Sequence, residues 1–193
     1  METPQPAGRQ HDADRMLLAA MARGESDALV ELMRRNGPWV RGVIFAACGD
    51  AGLVDDVQQE VWLRAWRRAG TLSDPAKWRG WLYSLAYHAA VDAARRDRRR
   101  RTLLGWLSAL RPRRGAPHGP ADRMVLAEEH QRALRAVEAL PELYRVPFVL
   151  RHLSGWSYRQ IADAMALPLD TVETRLVRAR RLLRERLSAG GEA

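Results

Sequence analysis

The sequence is poor in cysteine and has no long apolar run. Cys48 is the only cysteine among 193 residues. This excludes an internal disulfide and a metal site built from several thiolates, and it fits a reducing cytosol. No apolar stretch approaches the roughly 20 residues of a membrane-spanning helix, and the polar start, Met1–His11, does not resemble a signal peptide. We expect a cytoplasmic protein without membrane insertion, with disorder over residues 1–11.

Motifs of catalytic sites are missing as well. The chain has no glycine-rich phosphate loop, no His-Glu-x-x-His pattern and no nucleophile elbow. Its five histidines are dispersed along the sequence, and the pair Asp55-Asp56 lacks the further ligands that a metal site needs. We therefore expect no enzyme, no metal, no cofactor and no small-molecule substrate, which also argues against an enzyme that carries a DNA-binding tail.

Strand patterns are absent too, so the predicted fold class is all-α. Apolar residues recur at helical spacing except over residues 102–121, where three prolines are typical of a linker. We predict two small helical domains, residues 12–101 and 122–188, joined by this flexible linker and followed by a tail, residues 189–193. The predicted helices are Ala13–Arg23, a helix capped by Ser26 that runs to Ala47 with a kink or short break at Gly37-Pro38, Leu53–Ala69, Trp78–Arg101, Ala121–Ala139, and Glu142–Leu153 with a bend at Pro147.

Most of the net charge of +9 comes from one stretch of the chain. Residues 92–114 contain nine arginines and two aspartates, whereas residues 1–91 contain eleven basic and eleven acidic residues. Such a patch indicates a surface that binds a polyanion. A solvated linker or a compositional bias is the alternative, because 31 of the 32 basic residues are arginine. That bias explains arginine in place of lysine, but it does not explain the clustering.

The stretch Trp156–Leu187 predicts two helices separated by a tight turn. A capping-box pattern, Ser157 with Gln160, begins the first helix. Pro168 ends this helix, because the residue before a proline leaves helical geometry. A second capping-box pattern predicts that Asp170 caps the next helix.

The second helix of this stretch is amphipathic, with apolar residues on one side and Thr and Arg residues on the other. The pattern is typical of a helix-turn-helix, whose second helix enters the major groove of DNA. Arginine can bond guanine, and threonine can contact bases through its hydroxyl or methyl group. An ordinary solvated helix of a bundle is the alternative. The apolar side consists of Val172, Leu176, Ala179, Leu183 and Leu187, and the opposite side of Thr171, Thr174, Arg175, Arg178 and Arg181.

Two helices of the first half also present candidate surfaces. Leu53–Ala69 begins with a cluster of acidic and amide residues, which either stabilise the helix dipole or form a docking surface for a basic partner. The helix Trp78–Arg101 combines aromatic residues with the basic end Arg95–Arg101. This combination suits single-stranded nucleic acid, because bases stack on rings and arginine neutralises phosphates. Alternatively the tryptophans, Trp81 in particular, belong to the core.

Taken in order, these segments resemble bacterial RNA polymerase sigma factors of the extracytoplasmic-function (ECF) group. The resemblance runs from about Asp12 to Leu187, with a gap at the linker. No segment is decisive alone, but together they are highly specific. The segments that carry it are 55–66 (DDVQQEVWLRAW), 81–86 (WLYSLA), Val91-Asp92 with the arginine run, Leu140-Pro141, 158–162 (YRQIA), and 171–176 (TVETRL) with Arg178-Ala179-Arg180.

The resemblance implies an all-helical specificity subunit that binds core RNA polymerase and directs it to promoter DNA. By this likeness the helix-turn-helix reads the minus-thirty-five element, the linker threads towards the polymerase active-site channel, and Trp78–Arg101 reads and melts the minus-ten element. The loop Leu72–Arg79 would help to capture a flipped base. An anti-sigma factor is a further implied partner.

The resemblance also implies three sets of site residues. The polymerase-binding set is Asp55, Asp56, Gln59 and Glu60. The upstream-element set is Arg159, Thr171, Thr174, Arg175, Arg178 and Arg181. The melting-element set is Trp78, Trp81, Tyr83, His88, Asp92, Arg95, Arg96, Arg98 and Arg99.

Three positions depart from the usual pattern of the group and bear on the promoter sequence. Ala166 stands where the turn often has glycine, which predicts a less tight turn. Glu173 stands where a basic residue is common, and we expect it to pair with Asp170 as a cap. His88 stands where asparagine is frequent. A stand-alone helix-turn-helix regulator is the alternative function, but it would need neither the acidic cluster nor the basic aromatic helix.

Overall fold

The computed structural model describes residues 7–107 and 132–189, and these ranges contain helices and turns but no strand. The predicted all-α fold is confirmed. The first half contains α1 (Ala7–Ala22), α2 (Ser26–Cys48), α3 (Val54–Arg68) and α4 (Trp78–Leu107). The second half contains α5 (residues 132–138), α6 (Glu142–His152), α7 (Tyr158–Met165) and α8 (Leu169–Ala189). The predictions for residues 1–6, for the linker and second domain over 108–131, and for the tail from residue 190 lie outside the described residues.

Two helices extend beyond their predicted ends. α1 begins at Ala7, so residues 7–11 are helical where the sequence predicts disorder. α4 continues to Leu107, six residues into the predicted linker. Both extensions lack an internal proline, and lengthening an existing helix gains one hydrogen bond for each residue that is fixed. The start of α1 and the end of α4 are therefore wrongly predicted from composition alone.

α2 passes through Pro38 without the predicted break. A proline removes one backbone donor from the helix, and buried side chains on the same turns supply other bonds. The Asn36 amide donates to the Leu32 carbonyl oxygen at 3.2 Å, and Trp39 Nε1 donates to Asn36 Oδ1 at 2.9 Å. The helix ends where Gly49 adopts a left-handed φ of 69°. Similarly, α6 runs unbroken through Pro147.

The core of the first half lies between α2, α3 and α4. Val40, Val43, Ile44, Val61 and Trp78 are fully buried there. α1 closes one side of this bundle through Leu18 and Met21. This arrangement fixes the orientation of α3 and α4, the two helices that carry the candidate surfaces of the first half.

The second half packs directly on the first, so that one apolar core runs through both. α6 lies against α2, and α7 lies against α4. The rings of Trp39 on α2 and Trp156 before α7 are 5.0 Å apart. A smaller cluster, made by α5, α6 and α8, contains Ala136, Leu140, Ala179 and Leu183. Within the described ranges, no helix has both the length and the apolar character needed to cross a membrane.

Candidate nucleic-acid and partner interfaces

The helix-turn-helix begins with the predicted capping box. The backbone N–H of Gln160 donates to Ser157 Oγ at 3.2 Å, and the backbone N–H of Ser157 donates to Gln160 Oε1 at 2.8 Å. The two apolar residues on either side of the cap, Trp156 and Ile161, are both buried. Their burial is that of a hydrophobic staple, which fixes the angle at which the chain enters α7.

The turn between α7 and α8 is tight, although alanine occupies the position where glycine is usual. Ala166 has φ 51° and ψ 48°, and it is the only non-glycine residue of the described ranges with a positive φ. Its N–H and that of Leu167 bond back to carbonyl oxygens of Asp163 and Ala162. This is the Schellman arrangement, so the prediction of a looser turn is wrong. The two backbone hydrogen bonds hold alanine in a left-handed conformation that favours glycine.

We expect Ala166→Gly to raise the free energy of unfolding by about 1 kcal/mol, because glycine adopts left-handed φ without the steric cost that a Cβ atom brings. Urea denaturation followed by circular dichroism measures the effect. The same change at Ala19, exposed in the interior of α1, should destabilise the protein by about 0.5–1 kcal/mol. A loss of stability in both variants would show that Ala166 is not strained.

The predicted cap of α8 is wrong. Asp170 lies inside the first turn of the helix, which starts at Leu169, and the carbonyl oxygen of Pro168 accepts the first hydrogen bonds from Thr171 and Val172. Proline has already fixed its φ near helical values, so the helix starts before Asp170 can act as a cap. Glu173 is then not a capping partner. Both carboxylates are exposed near the helix N-terminus, where the helix dipole favours negative charge.

The two sides of α8 follow the predicted pattern in part. Val172, Leu176, Ala179 and Leu183 of the apolar side are buried, whereas Leu187 is exposed. The upstream-element candidates divide into Thr174, Arg178, Arg181 and Arg159, which are exposed, and Thr171 and Arg175, which are half-buried. Arg181 also pairs with Glu185 at 3.4 Å.

The melting-element candidates on α4 divide into buried and exposed groups. Trp78 is 0% exposed and Tyr83 is 6% exposed, so neither ring is available for base stacking in this structure. For Trp78 this agrees with the alternative in which the tryptophans belong to the core. Trp78 packs inward because it starts α4 against the core, and Tyr83 is covered by the second half of the chain. Trp81 is half-buried. The exposed candidates are His88, Asp92, Arg95, Arg96, Arg98 and Arg99.

The acidic cluster on α3 is partly used within the chain. Asp55 forms an ion pair with Arg41 of α2. Glu60 accepts from Arg64 at 2.5 Å and from Arg96 of α4 at 3.3 Å. Among the described residues, Asp56 and Gln59 are exposed and make no side-chain hydrogen bond or ion pair. These two side chains are therefore the part of the cluster that is open to a partner.

Several residues that shape these surfaces are not among the sequence candidates. Tyr87 lies on the same face of α4 as Tyr83, with the two rings stacked at 5.8 Å, and the four-residue spacing could have indicated this. Arg145 is buried and bonds backbone carbonyl oxygens. No sequence signal marks it, because its acceptors are main-chain atoms, one of them 99 positions away in the chain.

Two family models match the chain, one in each half. The model of sigma-70 region 2 matches residues 32–100, which span most of α2 together with α3 and the aromatic and basic part of α4. The model of sigma-70 region 4 matches residues 130–183, which include the helix-turn-helix. The two matches together cover more than half of the chain.

Curated relatives and solved structures agree with the family models. The ECF RNA polymerase sigma factor SigK of Mycobacterium ulcerans is 29% identical over 95% of this chain and 98% of that protein. The ECF RNA polymerase sigma-E factor of Escherichia coli is 29% identical over 86% of this chain and 90% of that protein. CnrH, solved in complex with the cytosolic domain of CnrY, superposes with a TM-score of 0.67 at 26% identity, covering 92% and 99% of the two chains.

A region 2 followed by a region 4 of this kind defines a sigma-70-type factor, a non-catalytic subunit of transcription initiation. Within that class the chain belongs to the extracytoplasmic-function sigma factors. It directs RNA polymerase to promoters, and the alternative of a stand-alone helix-turn-helix regulator is not favoured by these matches.

Proposed function

We propose that the two halves of this sigma factor divide promoter recognition between them. Residues 12–101 bind core polymerase and melt the minus-ten element, residues 122–188 read the minus-thirty-five element, and residues 102–121 link the two. The proposal rests on the side of α8 that lies opposite the core. There, threonine and arginine side chains are presented by the second helix of a tightly turned helix-turn-helix.

Upstream reading is supported by the position of these side chains on α8. Residues near the N-terminus of a recognition helix contact base edges. Thr171, Thr174 and Arg175 lie in the first two turns of α8 and suit this role. Arg178 and Arg181 lie further along and suit phosphates, as does Arg159 on α7.

Melting is supported by the exposed basic side of α4. Arg95, Arg98 and Arg99 are exposed, and an arginine row of this kind neutralises the backbone of a single strand. His88 is exposed one turn after Ser84, and its Nδ1 donates to the Ser84 carbonyl oxygen at 2.7 Å. Its outer ring edge then faces solvent, where a base could stack or bond.

Polymerase binding is supported by the open part of the acidic cluster. Asp56 and Gln59 present an acid and an amide on one helical face of α3, with Glu60 beside them. A basic helix of core polymerase would complement this surface, and such complementarity fixes orientation and speeds association.

Control by a second protein is part of the proposal. CnrH, which shares both the fold and 26% of its aligned residues with this chain, is held in a complex with the cytosolic domain of another protein. We propose that an anti-sigma factor likewise binds this chain. Because polymerase and promoter DNA are its partners, we propose that the protein acts in the cytoplasm.

We expect Arg175→Ala to cost the polymerase–promoter complex about 1–3 kcal/mol at its preferred base and to relax the preference there. The measurement is a salt titration on the preferred promoter and on one altered in the upstream element. Arg99→Ala is the control, because a phosphate contact should weaken both complexes alike and flatten the salt slope by about 0.7. Equal losses on both promoters for Arg175→Ala would reassign base reading to Thr171 or Thr174.

A further inference from the structure

Glu173 is an acidic side chain in the turns of α8 that are proposed to read bases, and no contact within the protein accounts for it. Its side chain is exposed. Because the helix already starts at Leu169, before Asp170 can act as a cap, Glu173 has no capping role. Within the described residues, its carboxylate takes part in no hydrogen bond and no ion pair. The carboxylate is therefore open to a donor outside the chain.

This lack of a partner distinguishes Glu173 from other glutamates on helices of the same chain. Three of them each pair with an arginine four places away on the same helix, as is favourable at that spacing. These pairs are Glu31–Arg35, Glu60–Arg64 and Glu185–Arg181. Around Glu173, the positions three and four places away are Leu169, Asp170, Leu176 and Val177. In a chain so rich in arginine, no cation on α8 stands where it could form such a pair with this carboxylate.

The flank of α8 that carries Glu173 is the open one. Successive residues of an α-helix are about 100° apart, so Thr174 lies opposite the buried apolar side and Glu173 lies on one flank of it. Val177, one turn further along that flank, is 58% exposed. On the other flank, Thr171 and Arg175 are half-buried. A major groove that receives Thr174 can therefore reach Glu173 directly.

A carboxylate in the major groove distinguishes cytosine from the other three bases. Cytosine presents an amino donor there, whereas guanine and thymine present acceptors and adenine places the acceptor N7 beside its amino group. A carboxylate only accepts hydrogen bonds, so it bonds the cytosine amino group and is repelled by the acceptors. It is also repelled by phosphates, so that an acid on this surface weakens DNA binding wherever it does not meet a suitable base.

We propose that Glu173 is a specificity-determining residue, which accepts a hydrogen bond from the 4-amino group of a cytosine in the upstream element. The inference rests on the proposed role of α8 in reading that element, and it names a base that the element contains. In this arrangement the arginines of α8 attract the DNA backbone, and Glu173 selects among sequences.

The test is a selection with the full chain bound to core polymerase. The template is the preferred promoter with its upstream element randomised, and the promoters recovered in polymerase complexes are sequenced. Wild type is compared with Glu173→Ala and Glu173→Gln. The matched control is Glu185→Gln, which removes the same charge from the same helix but far from its first turns. Circular dichroism checks that each variant is folded.

We expect wild type to favour cytosine about tenfold over the other bases at one position of the element, which is the size of a good contact between a side chain and a base. Glu173→Ala should lose this preference. Glu173→Gln should move it to adenine, whose amino group and N7 match the side-chain amide. The control should select the same sequences as wild type.

A second measurement uses the DNA instead of the protein. Exchanging the selected cytosine for pyrimidin-2-one, which lacks only the 4-amino group, should weaken the wild-type complex about tenfold and the Glu173→Ala complex little. Equal losses in both complexes would show that the amino group does not bond Glu173.

Three other results would overturn the inference and leave α8 as the reading helix. They are an unchanged selection by either Glu173 variant, a rise in binding to all sequences alike, and a wild-type preference for a base other than cytosine at the position that the variants change. If wild type shows no preference anywhere in the upstream element, the proposed function of α8 is itself wrong, and the role of Glu173 falls with it.

Discussion

We expect Asp56→Arg to weaken association with core RNA polymerase by about tenfold to a hundredfold while leaving the fold unchanged. Asp56 is exposed on α3, and a reversed charge would meet a basic partner surface, where like charges cost several kcal/mol. A pull-down or surface binding titration with core polymerase measures the loss, and a thermal melt by circular dichroism checks the fold.

The structure makes Asp56 a cleaner probe than its acidic neighbours. Reversing Asp55 would also break its ion pair with Arg41, and reversing Glu60 would place a third cation beside Arg64 and Arg96. The matched control is Asp27→Arg, an exposed acid in the first turn of α2. Full association of Asp56→Arg, or an equal loss in the control, would remove α3 from the polymerase interface.

The parts of the fold that were predictable are those that short-range patterns determine. The apolar stripe of α8 is buried from Val172 to Leu183, and the capping box at Ser157 forms as expected. Helical periodicity and capping act within a few residues, so the sequence contains the information they need. The predicted stripe does not extend to Leu187, which is 39% exposed.

The parts that were not predictable depend on which surfaces meet in three dimensions. Tyr83 and His88 were candidates of the same kind, but packing of the second half buries the first and leaves the second exposed. Trp78 belongs to the melting-element set that the resemblance implies, whereas its place at the start of α4 directs it into the core. The contacts of Arg145 follow only from the packing of α6 on α2, which brings its side chain to the Ala46 carbonyl oxygen, 99 positions away in the chain.

A buried carboxylate of the first half interacts with arginines of two other helices, α2 and α4. Asp14 of α1 is 0% exposed, and its Oδ1 lies 3.7 Å from Nη1 of Arg35 on α2. Burial lowers the pKa of Arg79 at the start of α4, and the negative charge of Asp14 opposes that shift. The Arg79 guanidinium also lies over the Trp78 and Trp156 rings, at 5.4 and 5.9 Å from their centroids. The negative charge of Asp14 thus partly compensates the positive charges of both Arg35 and Arg79.

We expect Asp14→Asn to lower the free energy of unfolding by about 3 kcal/mol. Removing one partner of a buried ion pair leaves the remaining charge without compensation, which costs more than the pair itself contributes. Arg35 retains Glu31 as a partner at 2.5 Å, so most of the cost should fall on Arg79. Urea denaturation at neutral pH measures the change, and Asp27→Asn, which removes an exposed acid on α2, should stay within about 0.5 kcal/mol of wild type.

A second variant, Asp14→Asn with Arg79→Met, should recover part of the loss, because it removes the cation that the first change leaves without a compensating charge. If Asp14→Asn is as stable as wild type, or if the double variant is weaker by the sum of the losses of Asp14→Asn and Arg79→Met measured singly, the carboxylate does not compensate Arg79.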